Sequence, residues 1–209
     1  LREQQLRTLD TLRTDRERRE AQRSQEDRWR KADPTRAPGP AWLGEEVEIV
    51  DSSLSPDARH LLVVTKKKGA GVGRNDPLPQ ALWLVDAADG SVRELKLDPL
   101  PGIAADPLAA LRKAADKEPL KGNRAVQIAT SGDNGDGSRM QWSADGRNAA
   151  VMLRAVDNKD RWIASVDLDN AKLQPRHRLT DPAWINWNFN DFGWLPDNRT
   201  LWLLSEESG

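Results

Sequence analysis

The chain has 209 residues, enough for one domain or two small ones, and 31% of them are charged with a net charge of −1. This balance gives no electrostatic reason to expect binding to nucleic acid or to an anionic membrane, and no apolar run is long enough to span a bilayer. Cysteine is absent and there are two histidines, so a disulfide framework, thiolate chemistry and a zinc site are not expected. We predict no metal and no cofactor.

The first 32 residues predict a charged helix. Leu6, Leu9 and Leu12 form a short apolar stripe, after which the segment is almost entirely polar, with Trp29 as its only large apolar residue. Sustained heptads are missing, so the pattern favours a solvated or partner-covered helix over a coiled coil. A weaker alternative is an oligomerising stalk.

Residues 33–40 contain three prolines and one glycine, which cannot continue a helix and indicate a linker. We therefore divide the chain into a charged helix with a Pro-rich linker, 1–40, and a second segment, 41–209.

A turn motif recurs three times in the second segment, each time before an apolar run. The copies are Pro56-Asp57-Ala58-Arg59, Ala144-Asp145-Gly146-Arg147 and Pro196-Asp197-Asn198-Arg199. The Asp of such a turn can bond later backbone amides, and the next residue often takes a positive φ. Gly146 and Asn198 suit that conformation and Ala58 does not, so we expect a different turn in the first copy. For the three arginines, pairing with a nearby acid is favoured over a shared ligand site.

Short β-prone runs joined by turns surround these motifs. The first unit, 45–97, contains four predicted strands, the second, 124–180, contains a similar set, and a third begins near Ala183. Four strands per repeat is the content of one propeller blade. We predict a mainly β fold, an incomplete β-propeller of about two and a half four-stranded blades.

Between the first two units the pattern changes to that of a helix, which we read as an insertion at about 105–118. Asp106 is a suitable N-cap and Pro107 suits the first helical position. Leu108, Leu111 and Ala115 would then mark one face of the helix.

No catalytic constellation is visible. His60 and His177 belong to no motif, and no serine lies in the Gly-x-Ser-x-Gly arrangement of a hydrolase nucleophile. The glycine-rich run 69–73 lacks the following helix that a phosphate loop needs, so it favours an interstrand loop. The Asp/Gly run 133–137 lacks the ligand spacing of an EF-hand and favours a tight turn.

The most distinctive loop is 181–191, whose two tryptophans and three asparagines could form either a recognition surface or a packed connection between blades. These residues are Trp184, Asn186, Trp187, Asn188 and Asn190. Two adjacent acidic pairs, Glu45–Glu46 and Glu206–Glu207, could each clamp a cationic amine or be ordinary surface acids.

The string Phe192–Gly209, with the Pro-Asp-x-Arg turns and the Trp-Leu-Val-Asp unit at 83–86, resembles a blade motif of the prolyl oligopeptidase family. It is most similar to that family's dipeptidyl peptidase IV-like bacterial members. The resemblance covers 45–209 and is most specific over 181–209, because TolB-like propellers share the repeats alone.

The resemblance implies a serine peptidase in which the propeller filters peptide substrates for a C-terminal α/β-hydrolase domain that carries the Ser, Asp and His. The third unit stops at Gly209, so we expect the catalytic residues beyond this chain, and no proteolysis by the chain alone. A periplasmic or secreted location is expected, with a cytoplasmic one as the alternative. The competing interpretation is a non-enzymatic TolB-like propeller that acts as a protein-binding scaffold.

The resemblance also implies candidate substrate-binding residues. Dipeptidyl peptidase IV-like enzymes hold the free N-terminus of the substrate with a Glu-Glu pair, which suggests Glu206 and Glu207, with Trp184, Asn186 and Asn188 nearby. Both acidic pairs of this chain lack the family's flanking residues. An unclosed ring would also leave a strand near 200–205 unpaired, which predicts self-association or pairing with the remainder of the protein.

Overall fold

The structure is a computed structural model that describes residues 2–33, 39–68, 78–128, 139–187, 190–205 and 207. The chain divides into two compact units, Leu1–Pro38 and Gly39–Gly209. The predicted mainly β fold with a helix at its N-terminus is confirmed. The glycine-rich run 69–73 and the Asp/Gly run 133–137 lie outside the described residues.

The first unit is the helix α1, Arg2–Ala32. Its side chains from residue 10 onward are almost all exposed, including Leu12 and Trp29. Ion pairs one turn apart, such as Arg16–Glu20 at 2.8 Å, lie along its exposed surface and favour the helical conformation weakly. No helix in the described part of the chain has the length and apolar character that crossing a membrane requires.

The second unit is built from antiparallel strands. The first sheet is a meander in the order β1-β2-β3-β4, as one propeller blade requires. Its strands are β1 (Val47–Leu54), β2 (His60–Lys67), β3 (Gln80–Asp86) and β4 (Val92–Glu94).

The second sheet has the order β5-β7-β8-β9, and a further strand, β6, pairs with β7. Because β5 meets β7 at Ala155 and Arg154 while β6 meets it from Val151 to Ala149, the two share one edge. The strands are β5 (Val126–Gln127), β6 (Met140–Trp142), β7 (Ala149–Ala155), β8 (Asp160–Asp167) and β9 (Lys172–Thr180). A hairpin of β10 (Phe192–Trp194) and β11 (Leu201–Leu203) follows.

Two hydrophobic clusters hold these sheets together. Alternate residues of β7 point to opposite faces, as the period of a strand requires. Ala149, Val151 and Leu153 join a cluster with the first sheet, while Ala150 and Met152 join one with the hairpin. The second sheet is therefore packed on both faces.

Indole groups add a repeated bond between neighbouring sheets. Trp142 donates from Nε1 to Ser53 Oγ at 3.1 Å, which links β6 to β1. Trp194, at the same place before the third turn, donates to the backbone oxygen of Gln141 at 3.1 Å.

The three Asp turns share one geometry, so the prediction of a different first turn is wrong. Ala58, Gly146 and Asn198 all have positive φ, of 56°, 73° and 57°. In the first turn the amide of Ala58 donates to the carbonyl of Ser55 at 2.8 Å, as its counterparts do in the other two. These bonds outweigh the roughly 1–2 kcal/mol that a left-handed conformation costs a residue with a Cβ.

The side chains of these turns stabilise them in two ways. Asp57 and Asp145 each accept a hydroxyl hydrogen bond from the serine two residues earlier, Ser55 and Ser143. The third turn has Leu195 in place of the serine, and Thr200 supplies the hydroxyl instead. Its bond to Asp197 lowers the pKa of that carboxyl to about 2, with help from two backbone amides.

The turns also lie side by side. A Cβ added to Gly146 would come within 2.7 Å of Asp57 Cγ, so the first two turns touch. Asn148 donates from Nδ2 to the carbonyl of Asn198 at 2.8 Å, which joins the second turn to the third.

The predicted helical insertion is shorter than expected. Helix α2 spans Ala109–Ala114 and has no side-chain cap, and Leu111, on its predicted apolar face, is exposed. Asp106 accepts from the amide of Leu108 at 2.9 Å and pairs with Arg112. Its carboxylate therefore forms a turn before the helix, which begins at Ala109, two residues later than the predicted first position, Pro107.

Candidate substrate-binding site

The loop that follows β9 is fixed by backbone bonds at its start. Asp181 Oδ1 accepts from the amides of Ala183 and Trp184, at 2.6 and 3.0 Å. The amide of Ile185 donates to the carbonyl of Asn158, and the Ile185 side chain is buried. Trp184 lies between these anchors and is 62% exposed, so a large aromatic surface faces solvent from a fixed backbone.

A buried arginine lies beneath this loop. Arg161 is in β8, is fully buried, and donates from Nη1 to Asn190 Oδ1 and to the carbonyl of Leu204. Asn190 in turn donates to the carbonyl of Asn186. Burial lowers the pKa of Arg161, the Glu207 carboxylate opposes that shift, and Arg139 adds to it.

His177 connects this arginine to the surface. Its Nδ1 is 3.2 Å from Arg161 Nη2, and its Nε2 is 2.9 Å from Glu207 Oε2. Because a guanidinium can only donate, Nδ1 must accept, and the ring proton is assigned to Nε2, which donates to Glu207. A neutral imidazole thus bridges a buried cation and a half-exposed carboxylate, and it fixes one oxygen of Glu207.

Three of the five candidate residues border one cavity of about 360 Å³. Trp184, Asn186 and Glu207 line it together with Asn190, Asp181 and part of β9. The other two candidates, Asn188 and Glu206, lie outside the described residues. The second acidic pair, Glu45–Glu46, is exposed before β1.

The cavity combines a carboxylate, amide groups and an exposed indole. A carboxylate held in place can bind an ammonium group through charge-assisted hydrogen bonds, and an indole face can bind a cation or an apolar side chain. Such a cavity suits a small amine with an apolar substituent.

Sequence reasoning missed Arg161, found no motif for His177, and included Asn190 only as one of three asparagines in the loop 181–191. One signal was available for Arg161, because it directly precedes the apolar run of β8. A charged residue beside a buried run is expected to be buried only when other groups bind it, so a polar partner could have been predicted. The contacts of Asn190 and His177 join residues far apart in the chain, so local patterns do not contain them.

The arginines of the turns also differ from the prediction. Arg59 Nε lies 3.8 Å from Asp57 Oδ2, which is an ion pair with an acid of the same turn, as predicted. In the described part of the chain Arg147 and Arg199 form no close ion pair, but, besides a hydroxyl hydrogen bond, the charge of each helps to lower the pKa of the acid in its own turn, Asp145 or Asp197. The expected association with a nearby acid therefore holds for these two only at longer range.

No family model and no curated protein matches the chain. Among solved structures it is similar in fold to a dipeptidyl aminopeptidase IV from Bacteroides ovatus, at 7% identity and a TM-score of 0.41, over 64% of this chain and 18% of that one. It is similar to the β-propeller domain of the Trilobed protease from Pyrococcus furiosus, described as an open velcro topology, at 12% identity and a TM-score of 0.40, over 78% and 35%.

A third similar structure is dipeptidyl peptidase 4 from Porphyromonas gingivalis, at 12% identity and a TM-score of 0.40, over 62% of this chain and 17% of that one. The chain therefore spans between 17% and 35% of the length of these three proteins.

Proposed function

We propose that this chain is the propeller part of a periplasmic or secreted serine peptidase of the prolyl oligopeptidase type, from its dipeptidyl peptidase IV-like branch. In this proposal it positions peptide substrates for an α/β-hydrolase domain of the same protein. The sequence resemblance of 192–209 supports it. The structural observation that carries it is the cavity that brings together Glu207, Trp184 and Asn186.

The chemistry of the cavity favours the N-terminal end of a peptide. The free amine would bind the Glu207 carboxylate, whose Oε2 is oriented by His177 while Oε1 is available. The first apolar side chain would contact the exposed face of Trp184. A volume of about 360 Å³ is near the lower end of ligand pockets, so it fits the end of a peptide rather than a longer segment.

Hydrolysis in this proposal belongs to the other domain. We expect the purified 209-residue chain to bind a short peptide without cleaving it. Hydrolysis of a chromogenic dipeptide substrate by the chain, after removal of contaminating proteases, would contradict this division of labour.

The binding test uses the chain itself and a pair of matched ligands. Titration with a dipeptide that has a free N-terminus, followed by isothermal calorimetry, should show binding that its N-acetylated form lacks. Glu207→Gln should weaken binding by about tenfold or more, because it removes a charge-assisted bond worth about 1.5–3 kcal/mol.

The control is Glu45→Gln, which removes the same charge from the other, exposed acidic pair and should leave binding unchanged. Equal affinity for the free and acetylated peptides would contradict amine recognition at Glu207. A chain that binds neither peptide but captures a folded protein would instead support the alternative, a non-enzymatic TolB-like scaffold.

We also propose that the free edge of β11 pairs with another strand, in a second copy of the chain. In the described residues β11 pairs only with β10, and Trp202 and Leu204 are exposed beside it. Light scattering should show a mass above that of a monomer, and Leu204→Lys should reduce it, because an edge lysine discourages strand pairing. Leu111→Lys on the exposed face of α2 is the control, and a monodisperse monomer would contradict the proposal.

A further inference from the structure

The three Asp turns border a second cavity, of about 620 Å³, on the opposite ends of β8 and β9 from the candidate site. Four arginines line it, Arg59, Arg147, Arg176 and Arg199, together with three acids, Asp57, Asp167 and Asp169, and His60 and Trp194 are among the remaining residues. Three of the four occupy the same place in successive repeats. Side-by-side packing of the turns therefore brings three arginines of a sequence repeat to one cavity, whose lining holds four arginines and three acids.

The turns do not require these side chains. Asp57, Asp145 and Asp197 each accept from the backbone amide of the arginine two residues later, at 3.2, 3.1 and 2.9 Å. Any residue except proline can supply that amide. The guanidinium groups are thus free for another role as far as the turn is concerned.

Two of the three acids that line the cavity, Asp57 and Asp167, are bound within their own turns, and Asp169 lines it as well. Asp57 accepts from Ser55 Oγ at 2.6 Å, and Asp167 accepts from the amide and side chain of Asn170 at 3.0 and 2.9 Å. These contacts occupy lone pairs that would otherwise bind the arginines.

The arginines have donors to spare. Arg147 and Arg199 act on Asp145 and Asp197 through charge but form no close ion pair within the described residues. The side chain of Arg59 is 79% exposed beside Asp57. Arg176 is already oriented, because Nε donates to Ser165 Oγ at 2.8 Å and Nη2 to Gln174 Oε1 at 2.7 Å. A guanidinium held in this way still presents its remaining N–H groups.

We propose that this cavity binds a small ligand that carries two or more oxyanion groups, of the carboxylate or phosphate class. Planar guanidinium groups match both classes by paired hydrogen bonds. Because Asp57 and Asp167 are bound in their own turns, the four arginines keep donors for more than one oxyanion group. The volume lies within the range of small-molecule sites. Trp194, with its Nε1 bound to the carbonyl of Gln141, provides a fixed apolar wall.

The experiment is calorimetric titration of the intact chain at low ionic strength with two probes, citrate and inorganic pyrophosphate. Binding of either supports the proposal, and the tighter one identifies the class as carboxylate or phosphate. The double variant R147Q/R199Q should weaken binding at least tenfold. The control K113Q/K117Q removes the same charge from exposed positions at α2 and should change affinity less than twofold.

A second variant, R147K/R199K, keeps the charge but loses the paired donors, and it should give an intermediate loss. It also decides the matter if R147Q/R199Q does not fold. Absence of binding by both probes, or equal losses in the R147Q/R199Q and K113Q/K117Q variants, would overturn the proposal. The peptide titration at Glu207 is unaffected by either result, because the two cavities share no residue.

Discussion

The first and second sheets follow the same plan but are buried differently. In the second, β7 and β8 contribute to both hydrophobic clusters, whereas β2 and β3 contribute to only one. Val63 and Val85 on the other face of the first sheet are buried but belong to neither cluster. The difference teaches that the place of a sheet in the array, more than its own strand pattern, decides how many faces it must fill.

The same comparison explains a polar difference. Gln80 in β3 and Arg161 in β8 occupy equivalent positions, because each lies six residues before the Asp that ends its strand. Those final residues are Asp86 and Asp167. Gln80 accepts at 2.6 Å from the amide of Ile128, the residue directly after β5 of the second sheet. Arg161 binds Asn190 and Leu204, which flank the hairpin. Equivalent positions thus bind the next structural element through different chemistry.

The largest expected effect is a core truncation in the doubly packed sheet. Trp162→Ala should reduce the free energy of unfolding by about 3–5 kcal/mol, because the side chain is fully buried and its Nε1 donates to the carbonyl of Pro101. Trp83→Ala in the first sheet should cost clearly less, since Trp83 is half-buried and bonds Thr65. Urea unfolding followed by circular dichroism measures both, and equal losses would contradict the comparison.

A buried ionic cluster present in the second sheet gives the next effect. Asp160 accepts from Arg124, Arg178 and Thr180 at 2.5, 2.7 and 2.6 Å. Asp160→Asn should cost about 3 kcal/mol in urea unfolding, because it leaves the half-buried Arg178 without its anion and the buried Arg124 with only Asp157. Asp157→Asn, which removes a more exposed partner of Arg124, is the control and should cost less.

The cluster also predicts an acid dependence. Burial opposes ionisation of Asp160, but its hydrogen bonds from Arg178, Thr180 and Arg124 outweigh burial and lower the pKa of the carboxyl. A carboxyl with a lowered folded pKa stabilises the protein above its unfolded pKa, and this contribution is lost as pH falls through the folded value. The stability of Asp160→Asn should therefore fall less steeply with acid than that of the unmodified chain.

The turns of the two sheets should respond to exchange of glycine and alanine with opposite signs. Gly146→Ala should reduce the free energy of unfolding by about 2 kcal/mol or more. The new Cβ would clash with Asp57, and residue 146 has a positive φ that is unfavourable for any residue with a Cβ. Ala58→Gly should be neutral or stabilising by up to about 1 kcal/mol. Glycine adopts the positive φ of residue 58 without steric strain, but it loses more conformational entropy on folding than alanine does. Thermal unfolding compares the two, and losses of the same sign would show that the turns are not equivalent.

The smallest effect separates the hairpin turn from the other two. The pKa of Asp197 is lowered from 3.8 to about 2, mainly by the Thr200 hydroxyl, so its contribution to stability is complete above about pH 4 and is lost between about pH 4 and 2. A carbon-detected NMR titration should place its midpoint near 2 and return it toward 3.8 in Thr200→Val. An unchanged midpoint in that variant would remove the hydroxyl as the cause.

Much of this fold could be predicted from local pattern. Apolar runs of five to eight residues predicted the longer strands, since strands of that length need only β-prone side chains and flanking turns. The conformation of Ala58 could not be predicted, because intrinsic preference opposes it and a hydrogen-bond set outweighs the preference. The start of α2 could not be predicted either, because the Asp106 carboxylate binds both the amide of Leu108 and the side chain of Arg112. These contacts form a turn instead of a helix cap at Asp106.

The candidate site was predictable only in its residues, and not in its connections. Trp184 and Asn186 were recognised by composition, and Glu207 by resemblance. Their support from Arg161 depends on pairing between β8, β9 and the hairpin, which brings residues 16 to 43 positions apart into contact. The clustering of Arg147 and Arg199 likewise requires adjacent turns, which no local pattern specifies.

The bond between Gln80 and Ile128 bears on the order in which the protein becomes stable during synthesis. The two residues are 48 positions apart, so at about 5–20 residues per second the ribosome makes the acceptor roughly 2–10 s before its donor. During that interval the amide oxygen of Gln80 depends on water, and the first sheet is also without the opposing face of its hydrophobic cluster. Each sheet is therefore exposed to proteases and to chaperones until its successor is complete, and the pace of translation sets the duration of that exposure.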